Sequence, residues 1–591
     1  MNPTKIFILL VIFGLSCTRS GDRPNIQQPN VVIILTDDQG WGDLSYNGNE
    51  NLSTPNIDDI ARKGAVFSNF YVSPVCSPTR AEILTGRYHL RGGVQSTSTG
   101  GERLDLDETT IADVFKQAGY KTATFGKWHN GMQYPYHPNG RGFDEFYGFA
   151  SGHWGDYFDP KLLEHNGKLV QGEGYIINDI TNKALDFIEQ HQDKPFFAFL
   201  SYNTPHSPMQ VPEKWWDNFE DTSLEMRHKD VEKEDVQFTK AALAMVENID
   251  WNVGKVIDKL QNVGIEKNTI VVFMSDNGPN SWRWNGGMRG RKGSTDEGGT
   301  RVPFFIKWPG MIQQGLHITK ISAAIDILPT LADLAGIPAD TRHPVDGKSL
   351  NPLITSEGEK PSWNDRLIFS YWNGRTSVRN STYRLDHQGR LYNIREDRGQ
   401  RHNLSDQKPD IARQLSSAVK QWEKEMKAEN YQKNRPFTVG HPDFLYTQLP
   451  ARDGIAHGTI ERSNRYPNAT FFTNWKTTSD SITWDIEVLE SGTFDVTLYY
   501  TISPNDIGAE LALLTESDTL TTTISQPHDP PLTGMEHDRV ERIESYVKDF
   551  KPLPMGRIDL EKGRRVLKLE ADQIPGRYAA DIRLILLKRM K

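Results

Sequence analysis

Cysteine is almost absent from this chain, which has only Cys17 and Cys76 among 591 residues. Two thiols exclude a disulfide framework and any zinc site built on several thiolates. A basic excess is also missing, since the formal net charge is −9, and this argues against nucleic acid as a partner. The composition, with 37% hydrophobic and 25% charged residues, is that of a globular protein. A chain of this length is expected to form two or three domains.

The apolar run at the N-terminus, residues 6–13, is short and is followed by polar chain after Cys17. A membrane span needs roughly 20 apolar residues, so this run is typical of a signal peptide. Residues 14–17 resemble a bacterial lipoprotein cleavage box, although Leu15 lies one position closer to the cysteine than usual. We expect residues 1–16 to be a signal peptide with Cys17 as the first mature residue. The protein is then periplasmic, or anchored in the outer membrane by lipid on Cys17; simple cleavage stays open.

An apolar, β-branched run at residues 30–36 is followed directly by Asp37 and Asp38. This predicts a buried parallel strand with carboxylates at its carboxyl end. Residues 269–274 repeat the pattern and are followed by Ser275, Asp276 and Asn277. Between and around them, further helical and strand patterns alternate: helices at 57–63, 110–118, 181–191 and 240–263, and strands at 121–124 and 195–201. The alternation predicts an α/β domain over residues 28–360, with a mostly parallel sheet covered on both faces.

The pattern changes from about residue 361. A strand at 391–394 and an amphipathic helix at 410–427 predict a small α+β subdomain over residues 361–435. A polar, linker-like stretch follows at 430–442. Alternating patterns at 481–488, 493–500, 565–570 and 582–587 then predict an all-β sandwich over residues 443–591. This last domain is either an accessory module similar to carbohydrate-binding domains or a purely bracing domain.

Residues 76–87 form the string Cys-Ser-Pro-Thr-Arg-Ala-Glu-Ile-Leu-Thr-Gly-Arg. The string resembles the motif C-x-P-x-R followed by T-G of the type I, formylglycine-dependent sulfatases, which belong to the alkaline phosphatase superfamily. Further elements of that family pattern occur in order, at residues 37–40, 126–129, 204–206, 275–278 and 292–303. The resemblance covers about residues 28–435 and implies the alkaline-phosphatase-like fold and hydrolysis of sulfate esters.

The oxygen-bearing residues Asp37, Asp38, Asp276 and Asn277 suit Ca²⁺ or Mg²⁺ rather than zinc. The alternative for the first pair is that both aspartates cap the turn after the strand. The resemblance implies that these four residues and Cys76 hold the metal, with Ca²⁺ preferred and Mg²⁺ as the alternative.

Cys76 lies two residues before Pro78, and proline favours the first turn of a helix, so the cysteine is predicted at a helix N-terminus. Without the resemblance, a lone cysteine is more often a small buried hydrophobe. The resemblance implies that a maturation enzyme converts Cys76 to formylglycine (3-oxoalanine), whose hydrate is a geminal diol. One hydroxyl attacks sulfur, and deprotonation of the other releases sulfate.

The same resemblance implies roles for five more residues, each of which alone would be interpreted as surface or core. Arg80 holds the formylglycine, and Lys127 and Lys292 neutralise the sulfate oxygens. His129 contacts the diol and helps to remove its second proton. His206 is the general acid for the leaving oxygen.

Loops that carry tryptophan and arginine suggest a sugar-binding surface, since indole rings stack on sugars and arginine pairs with anions. The substrate-binding candidates are His153, Trp154, Trp282, Arg283, Trp284 and Arg375, with ordinary loop packing as the alternative. Together with export, they favour a sulfated polysaccharide or oligosaccharide, and marine algal glycans such as ulvan, carrageenan or fucoidan are the first guess. A formylglycine-dependent phosphoester hydrolase and a glycan-binding lipoprotein with an inactive site are the competing hypotheses.

Overall fold

The computed structural model describes residues 28–355, 363, 365–429 and 435–590. The predicted signal peptide, Cys17 and residues 430–434 of the predicted linker lie outside the described residues. Within the described part of the chain, no helix combines the length and apolar character needed to cross a bilayer.

Ten α-helices are found in the described residues, and their bounds are α1 Pro55–Arg62, α2 Cys76–Thr85, α3 Ile111–Gln117, α4 Ile176–Gln190, α5 Glu213–Trp216, α6 Val236–Asn262, α7 Glu297–Thr300, α8 Ile327–Leu334, α9 Asn351–Ile354 and α10 Pro409–Ala428. The strands that precede α9 in the chain are β1 Asn30–Thr36, β2 Ala65–Phe67, β3 Phe70–Tyr71, β4 Lys121–Lys127, β5 Glu145–Phe149, β6 Leu163–His165, β7 Lys168–Val170, β8 Phe196–Ser201, β9 Thr269–Ser275, β10 Phe304–Lys307, β11 Leu316–Ile318 and β12 Ser322–Ala323.

A ten-stranded sheet forms the centre of the first part of the chain, in the order β11-β2-β10-β9-β1-β8-β4-β5-β6-β7. The middle strands β9, β1, β8, β4 and β5 are parallel, as predicted. The sheet is mixed overall, because β10, β6 and β7 join by antiparallel pairing. Side chains of β1 alternate between two hydrophobic cores, with Val31 and Ile33 on one face and Val32 and Ile34 on the other. Helices α2, α3 and α8 cover the first face, and α1, α4 and α6 cover the second, so the predicted α/β architecture is confirmed.

A four-stranded antiparallel sheet follows, with α10 packed against it through Leu415, Trp422 and Met426. Its strands are β13 Ile368–Trp372, β14 Arg375–Arg379, β15 Tyr383–Leu385 and β16 Leu391–Asn393. These elements agree with the predicted small α+β region.

The remaining chain forms two facing six-stranded sheets around a separate hydrophobic core, together with a separate two-stranded ribbon at residues 532–533 and 547–548. The strands are β17 Phe437–Val439, β18 Tyr446–Pro450, β19 Ile455–His457, β20 Glu461–Arg462, β21 Phe472–Thr473, β22 Ser481–Val488, β23 Gly492–Thr501, β24 Glu510–Leu514, β25 Thr519–Thr523, β26 Leu532–Thr533, β27 Val547–Lys548, β28 Lys551–Leu560, β29 Gly563–Gln573 and β30 Asp581–Arg589. Inward residues of β22, such as Ile482, Trp484 and Ile486, belong to this core.

The predicted linker at residues 430–442 is wrong in its second half. Residues 437–439 form β17, which pairs in parallel with β22 and buries Phe437 and Val439. A three-residue strand is too short for periodicity to reveal. The exact domain boundaries stay predictions.

Candidate active site

The predicted site residues meet at one edge of the main sheet, where its parallel strands end. Asp37 and Asp38 follow β1, Asp276 and Asn277 follow β9, and Lys127 is the last residue of β4. Because β9, β1, β8 and β4 are consecutive in the sheet, their carboxyl ends lie side by side.

Three aspartates are packed together without solvent. Asp37, Asp38 and Asp276 are fully buried, and the backbone N–H of Asp38 donates to Asp276 Oδ1 at 3.2 Å. Candidate ligand atoms of Asp37, Cys76 and Asp276 lie within 4.8 Å of one another. Asp38 has a positive φ of 66°, a left-handed conformation that few non-glycine residues adopt.

Each aspartate has a cationic partner. Lys127 Nζ lies 2.6 Å from Asp37 Oδ2, Lys292 Nζ lies 2.6 Å from Asp38 Oδ1, and Arg80 Nη2 lies 2.9 Å from Asp276 Oδ2. Burial opposes ionisation, yet Lys292 and His206 hold the pKa of Asp38 below its ordinary value, and Lys127 does the same for Asp37. At Asp276, burial and the nearby Asp37 raise the pKa. A cation beside Asp276 would favour the ionised form of this carboxyl group.

The oxygen atoms left over fit a hard divalent cation. Asp37 Oδ1, Asp38 Oδ2 and Asn277 Oδ1 are buried and have no hydrogen-bond partner among the described residues. Such atoms are costly unless something binds them. A set of carboxylate and amide oxygens suits Ca²⁺ or Mg²⁺. Asp37, Asp38, Asp276 and Asn277 therefore fit the predicted metal-binding role.

Cys76 is the first residue of α2, and the whole helix is buried. Its thiol lies beside the aspartates and at the base of a cavity of about 270 Å³ that His129, His206 and Lys292 also line. A helix N-terminus favours an anion, as does the nearby Lys292. Cys76 thus meets both the candidate cation site and a pocket suited to sulfate.

Two glycines bring the chain close enough to build the pocket. Gly126 precedes Lys127 with φ +112°, and a Cβ there would lie 2.1 Å from Ser201 O on the neighbouring β8. At Gly152, a Cβ would lie 2.2 Å from His129 Nε2. Any larger residue at these two positions would displace Lys127 or His129.

The two histidines expose different nitrogens. His129 Nε2 lies 2.8 Å from Thr97 O, and since a carbonyl can only accept, this nitrogen donates. His129 Nδ1 is then the unprotonated nitrogen, buried and without a partner among the described residues. Burial and Lys127 lower the pKa of His129, which keeps the ring neutral. His206 Nδ1 donates to Ser207 O at 2.6 Å, which leaves Nε2, 3.7 Å from Asp38 Oδ2, for proton transfer.

Among the six substrate-binding candidates, His153 lines the cavity over Cys76. Trp154 stacks on Phe149 and lines a different cavity, and Trp282 lies next to His228. Trp284 is half-buried against Gly42, and Arg375 is exposed at the start of β14. For these four residues and for His153, substrate binding stays a prediction.

Arg283 requires a correction. It is buried, and its guanidinium binds Asp43 through Nε at 2.9 Å and through Nη2 at 2.6 Å. Nη2 also donates to the backbone oxygen of Asp38 at 3.0 Å. Arg283 therefore supports the loop that carries the aspartates and has no free face for substrate.

Part of the cavity wall lies outside the six candidates. Thr97 lies between β3 and β4, and Trp372 ends β13, three residues before the candidate Arg375. Four more lining residues come from the C-terminal sheets: Tyr466, Asn468, Ile543 and Glu544. No local pattern could have identified them, because they reach Cys76 only through the packing of distant segments.

An α/β sheet with this cluster at its carboxyl edge, joined to antiparallel C-terminal sheets, is the architecture of the alkaline-phosphatase-like sulfatases. The chain belongs to the sulfatase family, whose sequence pattern it matches over residues 29–337. Residues 292–427 also match the C-terminal region of N-sulphoglucosamine sulphohydrolase. The protein is therefore a sulfatase, a hydrolase of sulfuric esters.

Relatives agree with this assignment. The chain is 34% identical to N-acetylgalactosamine-6-sulfatase of Mus musculus over 404 residues, 62% of this chain and 73% of that protein. It is 31% identical to Arylsulfatase G of Mus musculus over 449 residues, 66% of this chain and 80% of that protein. The crystal structure of Ps i-CgsB in complex with k-i-k-neocarrahexaose superposes with a TM-score of 0.62 and 30% identity, covering 69% of this chain and 95% of that one. Hydrolysis of sulfate esters of glycosaminoglycans or polysaccharides follows.

Proposed function

We propose that the protein is an exported, formylglycine-dependent sulfatase that removes sulfate from a sulfated galactan, with carrageenan as the first candidate. The observation that carries the proposal is the position of Cys76, at the head of α2 between the aspartate cluster and the cavity. Formylglycine at this position supplies the nucleophile for sulfur. Ca²⁺ or Mg²⁺ held by Asp37, Asp38, Asp276 and Asn277 supplies positive charge beside it.

The surrounding side chains bind the sulfate and move protons. Lys127 and Lys292 stand on two sides of the cluster, so they can neutralise the sulfate oxygens as negative charge develops. His129 accepts a proton at Nδ1, and Arg80 holds Asp276 and the backbone at Lys127 in place. His206, when it is protonated at both ring nitrogens, donates the Nε2 proton to the ester oxygen as the bond to sulfur breaks, and Nδ1 keeps its proton on Ser207 O.

The choice of a galactan is supported by the relatives. One is named for N-acetylgalactosamine 6-sulfate, and another is crystallised with a neocarrahexaose. Ulvan and fucoidan remain the alternative substrates to be tested. The predicted lipoprotein signal adds the outer membrane or the periplasm as the place of action.

Sulfate release from purified carrageenan, ulvan, fucoidan and chondroitin sulfate oligosaccharides tests the activity, using protein expressed with a formylglycine-generating enzyme. We expect release from a galactan, and none from the Cys76→Ala variant at an unchanged melting temperature. Mass spectrometry of the peptide that contains Cys76 should show loss of the thiol. A persistent thiol with no release from any substrate supports the glycan-binding hypothesis instead.

A matched pair of esters tests the competing phosphoesterase hypothesis. The sulfate and phosphate monoesters of 4-nitrophenol share one leaving group, so their kcat/KM values compare the transferred groups directly. Faster cleavage of the phosphate ester contradicts the proposal.

Fractionation of cells tests the predicted lipid anchor. Cells express either the full chain or its Cys17→Ala variant, and only the full chain should be found in the membrane fraction.

A further inference from the structure

The C-terminal sheets reach into the active site through two loops. The β26–β27 loop (residues 534–546) and the β20–β21 loop (residues 463–471) together place Tyr466, Asn468, Ile543 and Glu544 on the wall of the cavity over Cys76. A second cavity of about 370 Å³ lies next to the first and reaches Asp38. His206, Lys292, Ile543 and Glu544 line both cavities, so Ile543 and Glu544 stand between them.

The β26–β27 loop is firmly attached to the catalytic part of the chain, which is the part that forms the ten-stranded sheet and its covering helices. Arg542 is buried, donates to the carbonyl oxygen of Gly155 and pairs with Asp538. Gln210 donates to Gly534 O at 2.7 Å and to Asp538 Oδ1 at 3.0 Å. These contacts fix the loop as a wall of the pocket.

The β20–β21 loop is hydrogen-bonded to the β26–β27 loop. Asn464 Nδ2 donates to Ile543 O at 2.9 Å, and the hydroxyls of Ser463 and Ser545 lie 2.7 Å apart. The position of Ile543 and Glu544 is therefore determined from both sides.

Glu544 has one oxygen committed and one free. Its Oε1 accepts a hydrogen bond from the hydroxyl of Ser207, the residue next to His206. Its Oε2 is shielded from solvent and has no hydrogen-bond partner among the described residues. A shielded carboxylate oxygen is stable only with a donor, and a sulfate or carboxylate group offers none. Lys292, in contrast, lines the same pocket and attracts anions.

We propose that the C-terminal β-sandwich builds the specificity wall of the active site and that Glu544 is its specificity-determining residue. Glu544 Oε2 accepts a hydrogen bond from a hydroxyl or amide N–H of the sugar that carries the scissile sulfate or of its neighbour. The same charge repels a second sulfate at that position, so the enzyme prefers glycans with a free hydroxyl there. This inference rests on the proposed function and extends it to the sulfation pattern.

The test compares one glycan in two sulfation states. The probe is the oligosaccharide of the panel that releases sulfate fastest, together with the same oligosaccharide after chemical oversulfation. Initial rates of sulfate release give kcat/KM for both, with the wild-type enzyme, the Glu544→Gln variant and the Glu516→Gln variant. Glu516 is an exposed residue of the β24–β25 turn that lines neither cavity, so its substitution removes the same charge elsewhere in the sandwich.

We expect the wild type to prefer the native glycan, and Glu544→Gln to reduce this preference about tenfold or more, because bringing like charges together at a binding site is unfavourable. Glu516→Gln should keep the wild-type preference. An equal preference in all three proteins, or no preference in the wild type, overturns the inference while leaving the sulfatase proposal intact. If the wild type releases sulfate from no ester, the proposed function itself fails.

Discussion

A buried ion pair between the catalytic part and the sandwich allows a quantitative prediction. Arg452 Nη2 lies 2.6 Å from Glu102 Oε1, and the two side chains are only 2% and 1% exposed. At an effective dielectric constant near 20, Coulomb's law gives an attraction of about 6 kcal/mol at this distance. Desolvation offsets much of it, but removing one partner leaves the other charge buried and unpaired, which costs about 3–5 kcal/mol. We therefore expect Arg452→Met to destabilise the protein by about this amount.

The measurement is thermal and urea unfolding of the wild type, Arg452→Met, Glu102→Met and the double variant. The double variant should be more stable than Arg452→Met, because that single variant leaves Glu102 buried and unpaired, whereas in both variants Asp453 loses its contact with Arg452 Nε at 3.2 Å. Arg413→Met is the control, because Arg413 pairs with Asp410 on the exposed surface of α10 and should contribute little.

The pH dependence gives a second check. Burial raises the pKa of Glu102, but Arg452, a backbone hydrogen bond, His129 and Arg103 together hold it below its ordinary value of 4.5. A depressed pKa stabilises the fold above pH 4.5 and loses this effect as the pH falls through the folded-state pKa. The difference between wild type and Arg452→Met should therefore shrink below about pH 4.5. A difference that is absent at pH 7, or that does not change with pH, refutes the reasoning.

Three further predictions concern the active site and its supporting helix. His206→Ala should lower kcat/KM on a sugar sulfate by about 10²–10⁴-fold and on 4-nitrophenyl sulfate much less, because nitrophenolate leaves without a proton; equal losses contradict the general-acid role. Chelation with EDTA should abolish sulfate release and lower the melting temperature. Ca²⁺ at about 100 times its Kd should then raise the free energy of unfolding by about 2.7 kcal/mol. An unchanged melting temperature after chelation argues against the cation site. Burial raises the pKa of Glu82 to about 8 from 4.5, so its contribution to stability falls as the pH rises across that interval. Glu82→Gln should therefore lose less stability than the wild type between pH 5 and 8. If the free energy of unfolding of both proteins changes equally with pH, Glu82 is ionised in the folded state.

Much of the catalytic part could be predicted because its signals are local in the sequence. The β-branched run before Asp37 and the similar run before Asp276 each predict a buried strand with polar residues at its end. Parallel pairing then brings the two ends together without further information. The position of Cys76 at the start of α2 followed in the same way from Pro78 in the first turn.

The errors come from contacts that no local pattern encodes. Arg283 was assigned to the substrate because it lies between two tryptophans in a loop, but its partner Asp43 is 240 positions away. The strand β17 was missed because its three residues are recognisable only by pairing with β22. Glu544 was missed because it approaches Ser207 from 337 positions along the chain.

Three parts of the chain meet at the cavity over Cys76, and they contribute different things. The α/β part of the chain supplies the buried aspartates, the cations and Cys76, which lies at the start of α2. The four-stranded sheet adds Trp372, and the sandwich adds Tyr466 and Glu544, none of which touches the aspartate cluster in a hydrogen bond or ion pair among the described residues. Because these outer residues lie on separate loops, substitutions there can change which glycan enters while the buried cluster stays intact. Selectivity and chemistry are thus carried by different segments, joined through the Glu102–Arg452 pair and the attached β26–β27 loop.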